Sequence, residues 1–216
     1  EQTRLTDYAS KHRVDWSKYK GQDWREKVES GLSRADIERL AEKFTAVPAD
    51  FELHATAKRV LDGRRAMAAG EQPFDWGMAE TLAYAAMVTN GTGVRISGED
   101  SGRGTFSHRH AVLHDKNRSE AHSGNYVPLQ HMAENQAPFN VFDSILNEEA
   151  VMAFEYGYAC SAPEKLVIWE AQFGDFANGA QVAIDQFISS GETKWGRLCG
   201  LTVILPHGYD GQGPEH

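Results

Sequence analysis

Residues Phe139–Ala159 read FNVFDSILNEEAVMAFEYGYA. The segment begins as a short apolar strand, turns abruptly, and continues as a helix that opens on two adjacent carboxylates, Glu148 and Glu149. Val151, Phe154 and Tyr158 recur at helical spacing, so the pattern expects that face to be buried. A carboxylate at the start of such a helix, just beyond a strand end, stands where open α/β sheets place their ligand crevices. Acidic residues in a first helical turn also offset the helix dipole with no further role. Spacing alone leaves both readings open.

Working outward, three more runs share the strand character: VRIS (Val94–Ser97), LVIWEA (Leu166–Ala171) and LTVILP (Leu201–Pro206). All are short, largely apolar on both faces, and rich in β-branched or aromatic residues. Helical patterns separate the last three strands, one at 147–160 and one at about 176–190 with Ala180, Ala183, Ile184 and Phe187 inward. Doubly buried strands alternating with helices mean a parallel sheet covered by helices on both faces. The expected fold is therefore α/β over 71–216, preceded by a helical segment.

Upstream, residues 1–70 divide into a polar arm or linker and helices. The first 32 residues show no sustained period, and Tyr8, Trp16, Tyr19 and Trp24 are scattered along them as aromatic docking groups. Ser33 caps SRADIERLAEKF, whose stripe is Ile37, Leu40, Ala41 and Phe44. Val47-Pro48 breaks the pattern. A second helix from about Phe51 places Leu53, Ala57, Val60 and Leu61 inward, with Lys58, Arg59, Arg64 and Arg65 as a solvated face. Asp75 caps a third, WGMAETLAYAAMVTNG, whose small residues permit close packing and whose Asn90-Gly91 ending admits positive φ.

The totals narrow the classes. A chain of 216 residues with net charge −9 suits one domain with an appendage and lacks the basic face that a nucleic-acid partner needs. Cys160 and Cys199 form no disulfide framework and read as reduced thiols in a cytosolic or similar compartment. No run approaches the roughly 18 apolar residues of a membrane-spanning helix, and no signal-peptide core is visible at the N-terminus. The reading is a soluble protein with neither a nucleic-acid nor a membrane partner.

The long connection Gly98–Pro128 is rich in glycine, charge and histidine, which in a compact domain points to function or disorder. His108, His110, His114 and His122 crowd into it. His-x-His on a strand would put both rings on one face, but no cysteine is near and a closed zinc site takes four tightly spaced ligands. A polar face lining a pocket or interface is the stronger reading, and no protein-held metal is expected. Gly98, Gly102 and Gly104 have the wrong spacing for a dinucleotide loop, and no P-loop or nucleophile elbow occurs. Phe173 and Phe176 fall in a strand-to-helix turn, where they serve either as core or as a stacking platform for a flat heterocycle. The closing HGYDGQGPEH places His207 and His216 in a glycine-rich loop at the same sheet edge, and its abrupt stop suggests a piece of a longer polypeptide.

Taken together, FDWGMAETLAY, SGEDSGRGTFSHRHAVLHD, NEEAVMAFEYGYA, IWEAQFGDFANGAQVAIDQFISSG and LPHGYDGQGPEH resemble the thiamin-diphosphate-dependent dehydrogenase component of 2-oxoglutarate dehydrogenase complexes. The resemblance covers about 51–216, while residues 1–50 match only loosely. It implies that the chain is the middle, pyrimidine-binding α/β part of a larger enzyme. The part that binds the diphosphate and Mg²⁺ and the third part have no counterpart here.

By this resemblance Glu148 is the activating glutamate, hydrogen-bonded to a pyrimidine nitrogen, while the cofactor acts as electron sink for decarboxylation. Phe176, with Phe173 behind it, matches the ring platform. His216 matches an active-site histidine, with His207 a lesser partner. Glu99 matches an acidic position near the cofactor that could relay protons, and His108, Arg109 and His110 are cationic candidates for the distal carboxylate of the substrate or for loop order. The implied partners are a second copy of the chain in a homodimer, the remaining regions of the enzyme, 2-oxoglutarate and a lipoyl-bearing succinyltransferase. The implied location is the cytoplasm of a bacterium, or the mitochondrial matrix if the source is eukaryotic. A 2-oxoadipate dehydrogenase would carry the same motifs, and the isolated slice would be a catalytically silent dimerisation or scaffold module.

Overall fold

The computed structural model describes residues 14–23, 25–119 and 123–207. Helix α1 (Arg34–Thr45) starts where the Ser33 hydroxyl accepts from Asp36 N at 3.1 Å. Leu40, Ala41 and Phe44 are buried along it. Helix α2 (Ala55–Ala69) begins later than its pattern suggests, because Leu53 bridges to Asp115 and His54 supplies the cap. Arg64 corrects the solvated-face reading. It is buried, and its guanidinium donates to the carbonyls of His108 and Arg109. Helix α3 (Trp76–Thr89) is capped by Asp75, which accepts from Met78 N at 2.7 Å.

Four strands follow the pattern closely: β1 (Val94–Gly98), β4 (Phe139–Asp143), β5 (Leu166–Glu170) and β6 (Leu201–Ile204). All pair in parallel, in the order β4-β1-β5-β6. Two-residue strands β2 (Leu113–His114) and β3 (Asn125–Tyr126) pair antiparallel within the long connection. His108 and His110 precede that hairpin rather than lying on a strand, so the one-face geometry expected of His-x-His does not form.

One sheet face carries Val94, Ile96, Phe139 and Ile168 against α1 and α3. The other carries Trp169, Leu201 and Val203 against α4 (Glu148–Ser161) and the turns after β5. Cover on the α3 side is incomplete: over Leu166, Ile168, Thr202 and Ile204 a cleft of about 940 Å³ opens, flanked by Trp76 and Phe106. The first helical segment shares its core with the sheet, since Leu40 and Phe44 belong to the same apolar cluster as Met78 and Ile96.

Two expectations fail in register. On α4 the buried residues are Met152, Glu155, Tyr156, Ala159 and Cys160, whereas Phe154 is 62% exposed. The cause is Arg95, which projects from β1 toward the helix and requires a carboxylate facing it. Glu155 turns inward to meet Arg95 at 2.7 Å. Phe142, Phe154 and Tyr158 then flank the guanidinium, with ring centroids 4.4, 5.6 and 4.5 Å from its carbon.

The region after β5 is not one regular helix. It runs as 3-10 turns (Gly174–Ala180), one α-turn (Gln181–Ala183) and a π-turn (Ile184–Ile188). Ala180 and Ala183 are buried as expected, but Phe187 is exposed because the π-turn shifts the phase. Of the N-terminal aromatics, Trp16 docks: its indole N–H donates to the Cys160 carbonyl at 3.1 Å. Tyr8 and Trp24 lie outside the described residues.

Candidate functional site

Parallel strands end together, so whatever follows β1, β4, β5 and β6 gathers at one edge. The sheet order reverses direction between β1 and β5, the position where doubly wound sheets hold ligands. Their pairing persists to the last residues, Gly98 against Glu170. Gly98 is required there: a Cβ would fall 2.1 Å from the Glu170 carbonyl oxygen. Immediately beyond the close approach lies a small crevice lined by Glu99, Ser144, Asn147, Glu148, Trp169 and Gln172.

Each wall has a local cause. Asn147 caps α4, accepting from Ala150 N at 3.0 Å, and this fixes Glu148 at the first helical position. Glu148 is half-buried and faces Gly179, whose hypothetical Cβ would be 3.8 Å from Glu148 Oε2. Glu149 is exposed. Glu99, half-buried, follows β1 directly. The structure thus brings Glu148 and Glu99 into one crevice and keeps Glu149 out of it. Sequence reading missed Gln172; the signal was its position two residues past the end of β5.

Beside the crevice, Phe173 and Phe176 are half-buried and meet edge to face, with centroids 5.4 Å apart and planes at 81°. Gly174 N donates to Pro206 O at 2.8 Å, joining the loop after β5 to the loop after β6. His207 sits in that second loop, its Nδ1 2.8 Å from the Leu205 carbonyl and its ring packed against Gly174. His216 and His122 lie outside the described residues. Among the described residues, no group of three or more His, Cys, Asp or Glu side chains is placed to hold a metal ion.

The loop after β1 is held by Arg109. Its guanidinium donates to Glu80, Glu170 and the Ser101 carbonyl, so every N–H has an acceptor. That arrangement fits loop order and leaves no hydrogen for a substrate carboxylate. Burial works against the charge on Arg109, and the bonds to Glu80 and Glu170 outweigh it, holding the group cationic. Burial also raises the Glu170 carboxyl above the usual range, against the pull of Arg109. His108 lines the 940 Å³ cleft, and burial lowers both it and His110 below the ordinary histidine value.

A parallel sheet with a carboxylate-lined crevice at its switch point, and aromatic rings beside it, defines a ligand-binding α/β domain. The chain belongs to the family of the transketolase pyrimidine-binding domain, whose pattern residues 72–216 match. It is similar to the 2-oxoglutarate dehydrogenase E1 component of Cupriavidus necator, with 56% identity over 212 residues, 98% of this chain and 22% of the relative. The corresponding protein of Haemophilus influenzae is 54% identical over 204 residues, 94% of this chain and 21% of its own length. An oxoglutarate dehydrogenase of Buchnera aphidicola is 50% identical over 188 residues, covering 87% and 20%. The chain thus spans about a fifth of the length of these curated relatives.

Proposed function

We propose that this chain is the aminopyrimidine half-site of a thiamin-diphosphate-dependent 2-oxoglutarate dehydrogenase, with residues 71–216 as its binding domain and 1–70 as arm and helical support. The observation that carries the reading is Glu148, set by a helix cap into a crevice at the sheet's switch point beside two aromatic rings. The residues fit the ring: a carboxylate for a ring nitrogen, a buried amide oxygen that meets no donor among the described residues, and aromatic surface for stacking. When bound, thiamin diphosphate supplies a nucleophilic carbon and an electron sink for decarboxylation.

The chain's own residues do the rest. Glu148 accepts from a protonated pyrimidine nitrogen and so favours the tautomer whose exocyclic nitrogen is basic. Glu99 stands in the same crevice to receive or return that proton. Phe176, backed edge to face by Phe173, holds the ring plane and excludes water. We assign acid–base roles to His207, in the loop after β6, and to His216. The diphosphate and its Mg²⁺ are assigned to other regions of the polypeptide, and a second copy of the chain to a homodimer. The product is a succinyl group passed to a lipoyl group of the acyltransferase component. Among the described residues no helix is long and apolar enough to cross a membrane. The relatives are bacterial, and a bacterial cytoplasm is the location assigned here.

The test is turnover by the full-length protein with thiamin diphosphate and Mg²⁺ on 2-oxoglutarate and on 2-oxoadipate. Preference for 2-oxoglutarate is expected, and preference for the longer acid would transfer the assignment. A parallel titration of the 216 residues alone should show no tight binding. Saturable tight binding there would overturn the half-site reading.

A further inference from the structure

Gln172 is held at both ends of its residue. Its backbone carbonyl accepts from Thr105 Oγ1 at 2.8 Å, and its side-chain Nε2 donates to Asp100 Oδ2 at 3.0 Å. An ionised carboxylate can only accept, so this bond fixes which end of the amide is nitrogen. Asp100 is itself held in a left-handed conformation with φ 55°, and Arg103 pairs with the same carboxylate oxygen at 2.6 Å. The amide oxygen, Oε1, is consequently aimed away from Asp100. It is buried and meets no donor among the described residues.

A buried acceptor without a donor is costly and uncommon. Among the described residues none donates to it. Glu99 and Glu148 are acceptors when ionised, the Ser144 hydroxyl is turned to the Ile145 carbonyl at 3.0 Å, and the Arg109 donors are all engaged. Glu99, Glu148 and Gln172 Oε1 therefore put three acceptor groups on this wall, beside the donors of Asn147 and Trp169, and these acceptors suit a ligand edge that carries N–H groups. A neutral amide adds an acceptor without adding another negative charge.

We propose that Gln172 Oε1 is a binding group of this crevice, accepting a hydrogen bond from an N–H of the aminopyrimidine ring of bound thiamin diphosphate alongside Glu148. The inference rests on the half-site reading above. Asp100 acts through Gln172 as its positioning residue.

The experiment measures the dissociation constant of thiamin diphosphate with Mg²⁺ in the full-length protein, read by quenching of tryptophan fluorescence, since Trp169 lines the crevice. Gln172→Met should weaken binding about 3- to 10-fold, the size of one neutral hydrogen bond. Two analogues complete the cycle, one with oxygen in place of the amino group and one with carbon in place of the ring nitrogen that faces Glu148. The Gln172→Met deficit should shrink to less than about 2-fold with at least one of them. Equal affinity of Gln172→Met and the parent, or the same deficit with all three ligands, overturns the inference. If Gln172→Met fails to fold, Asp100→Gly, which suits the positive φ and releases the amide, is read by the same criteria. A parent protein that does not bind thiamin diphosphate, or a Glu148→Gln variant that binds and turns over normally, overturns the half-site reading and this inference with it. Failure of Gln172→Met alone leaves the half-site reading standing.

Discussion

Arg109 and Glu170 form an ion pair in which each side chain is only 1% exposed. The pair ties the loop after β1 to the end of β5, and Glu80 on α3 shares the guanidinium at 2.8 Å. Removing one member of such a pair strands a buried charge, at a cost of about 3–5 kcal/mol. Arg109→Met should lower the unfolding free energy by roughly that amount in urea titrations. Glu170→Gln should cost less, because the amide oxygen still accepts and Glu80 still neutralises the arginine. A loss under about 1 kcal/mol for Arg109→Met would show that the loop is held by other contacts.

Acidification should loosen the same loop. Burial keeps His108 and His110 below the ordinary value of 6.5, so the folded form binds fewer protons at these sites than the unfolded chain. Their contribution is complete above about pH 6.5 and is lost as pH falls through the lowered folded values. Glu170 runs the other way, since its raised value makes the folded form take up a proton first. Comparison of the parent with a His108→Gln/His110→Asn double variant isolates the histidines. Between about pH 7 and pH 5 the parent should lose more stability than the variant. Parallel curves would exclude this mechanism.

Two glycines should respond oppositely to alanine. A Cβ at Gly77 would fall 2.3 Å from the His108 backbone oxygen, so α3 or the loop must shift. Gly77→Ala should cost about 1–3 kcal/mol, as overpacking does. Gly63, inside α2, has nothing within 4 Å of the added carbon. Gly63→Ala should gain about 0.5–1 kcal/mol from backbone entropy. Thermal unfolding of both variants checks the contrast, and a neutral Gly77→Ala would mean that α3 and the loop part easily.

The two carboxylates of the first α4 turn should separate in function. In the full-length protein Glu148→Gln should lower kcat at least about 100-fold, the scale of a lost proton-handling group. Glu149→Gln, outside the crevice, should change it less than about 2-fold. Both should unfold within about 1 kcal/mol of the parent, the helix-dipole contribution of a first-turn carboxylate. Equal losses in the two variants would point to the helix dipole rather than to chemistry.

The sheet and its site edge were legible because short β-branched runs and helix caps are local signals. Ser33, Asp75 and Asn147 each cap the helix that follows them. The strand-end position of Glu148 followed from the same punctuation, whereas Glu99 was singled out by the family resemblance alone. Arg64 and Glu155 were not legible: a charged residue at helical spacing is normally solvated, and only partners distant in sequence, the 108–109 carbonyls and Arg95, bring these two inside. The stripe on α4 slipped for that reason. Gln172 stayed hidden because a single amide gains its meaning from Asp100, which is far from it in sequence and held in an unusual backbone conformation.

β1 and β5 pair from Val94 against Leu166 to Gly98 against Glu170, although the chain between them passes through the long loop, β4 and α4. Closing a connection of that length costs on the order of 4 kcal/mol of chain entropy before any contact returns it. Glu99 and Gln172 are consequently strangers during synthesis. A nascent chain emerging from the ribosome has no such edge until β5 has been made and has docked against β1. Products truncated or stalled before β5 should therefore lack the crevice altogether.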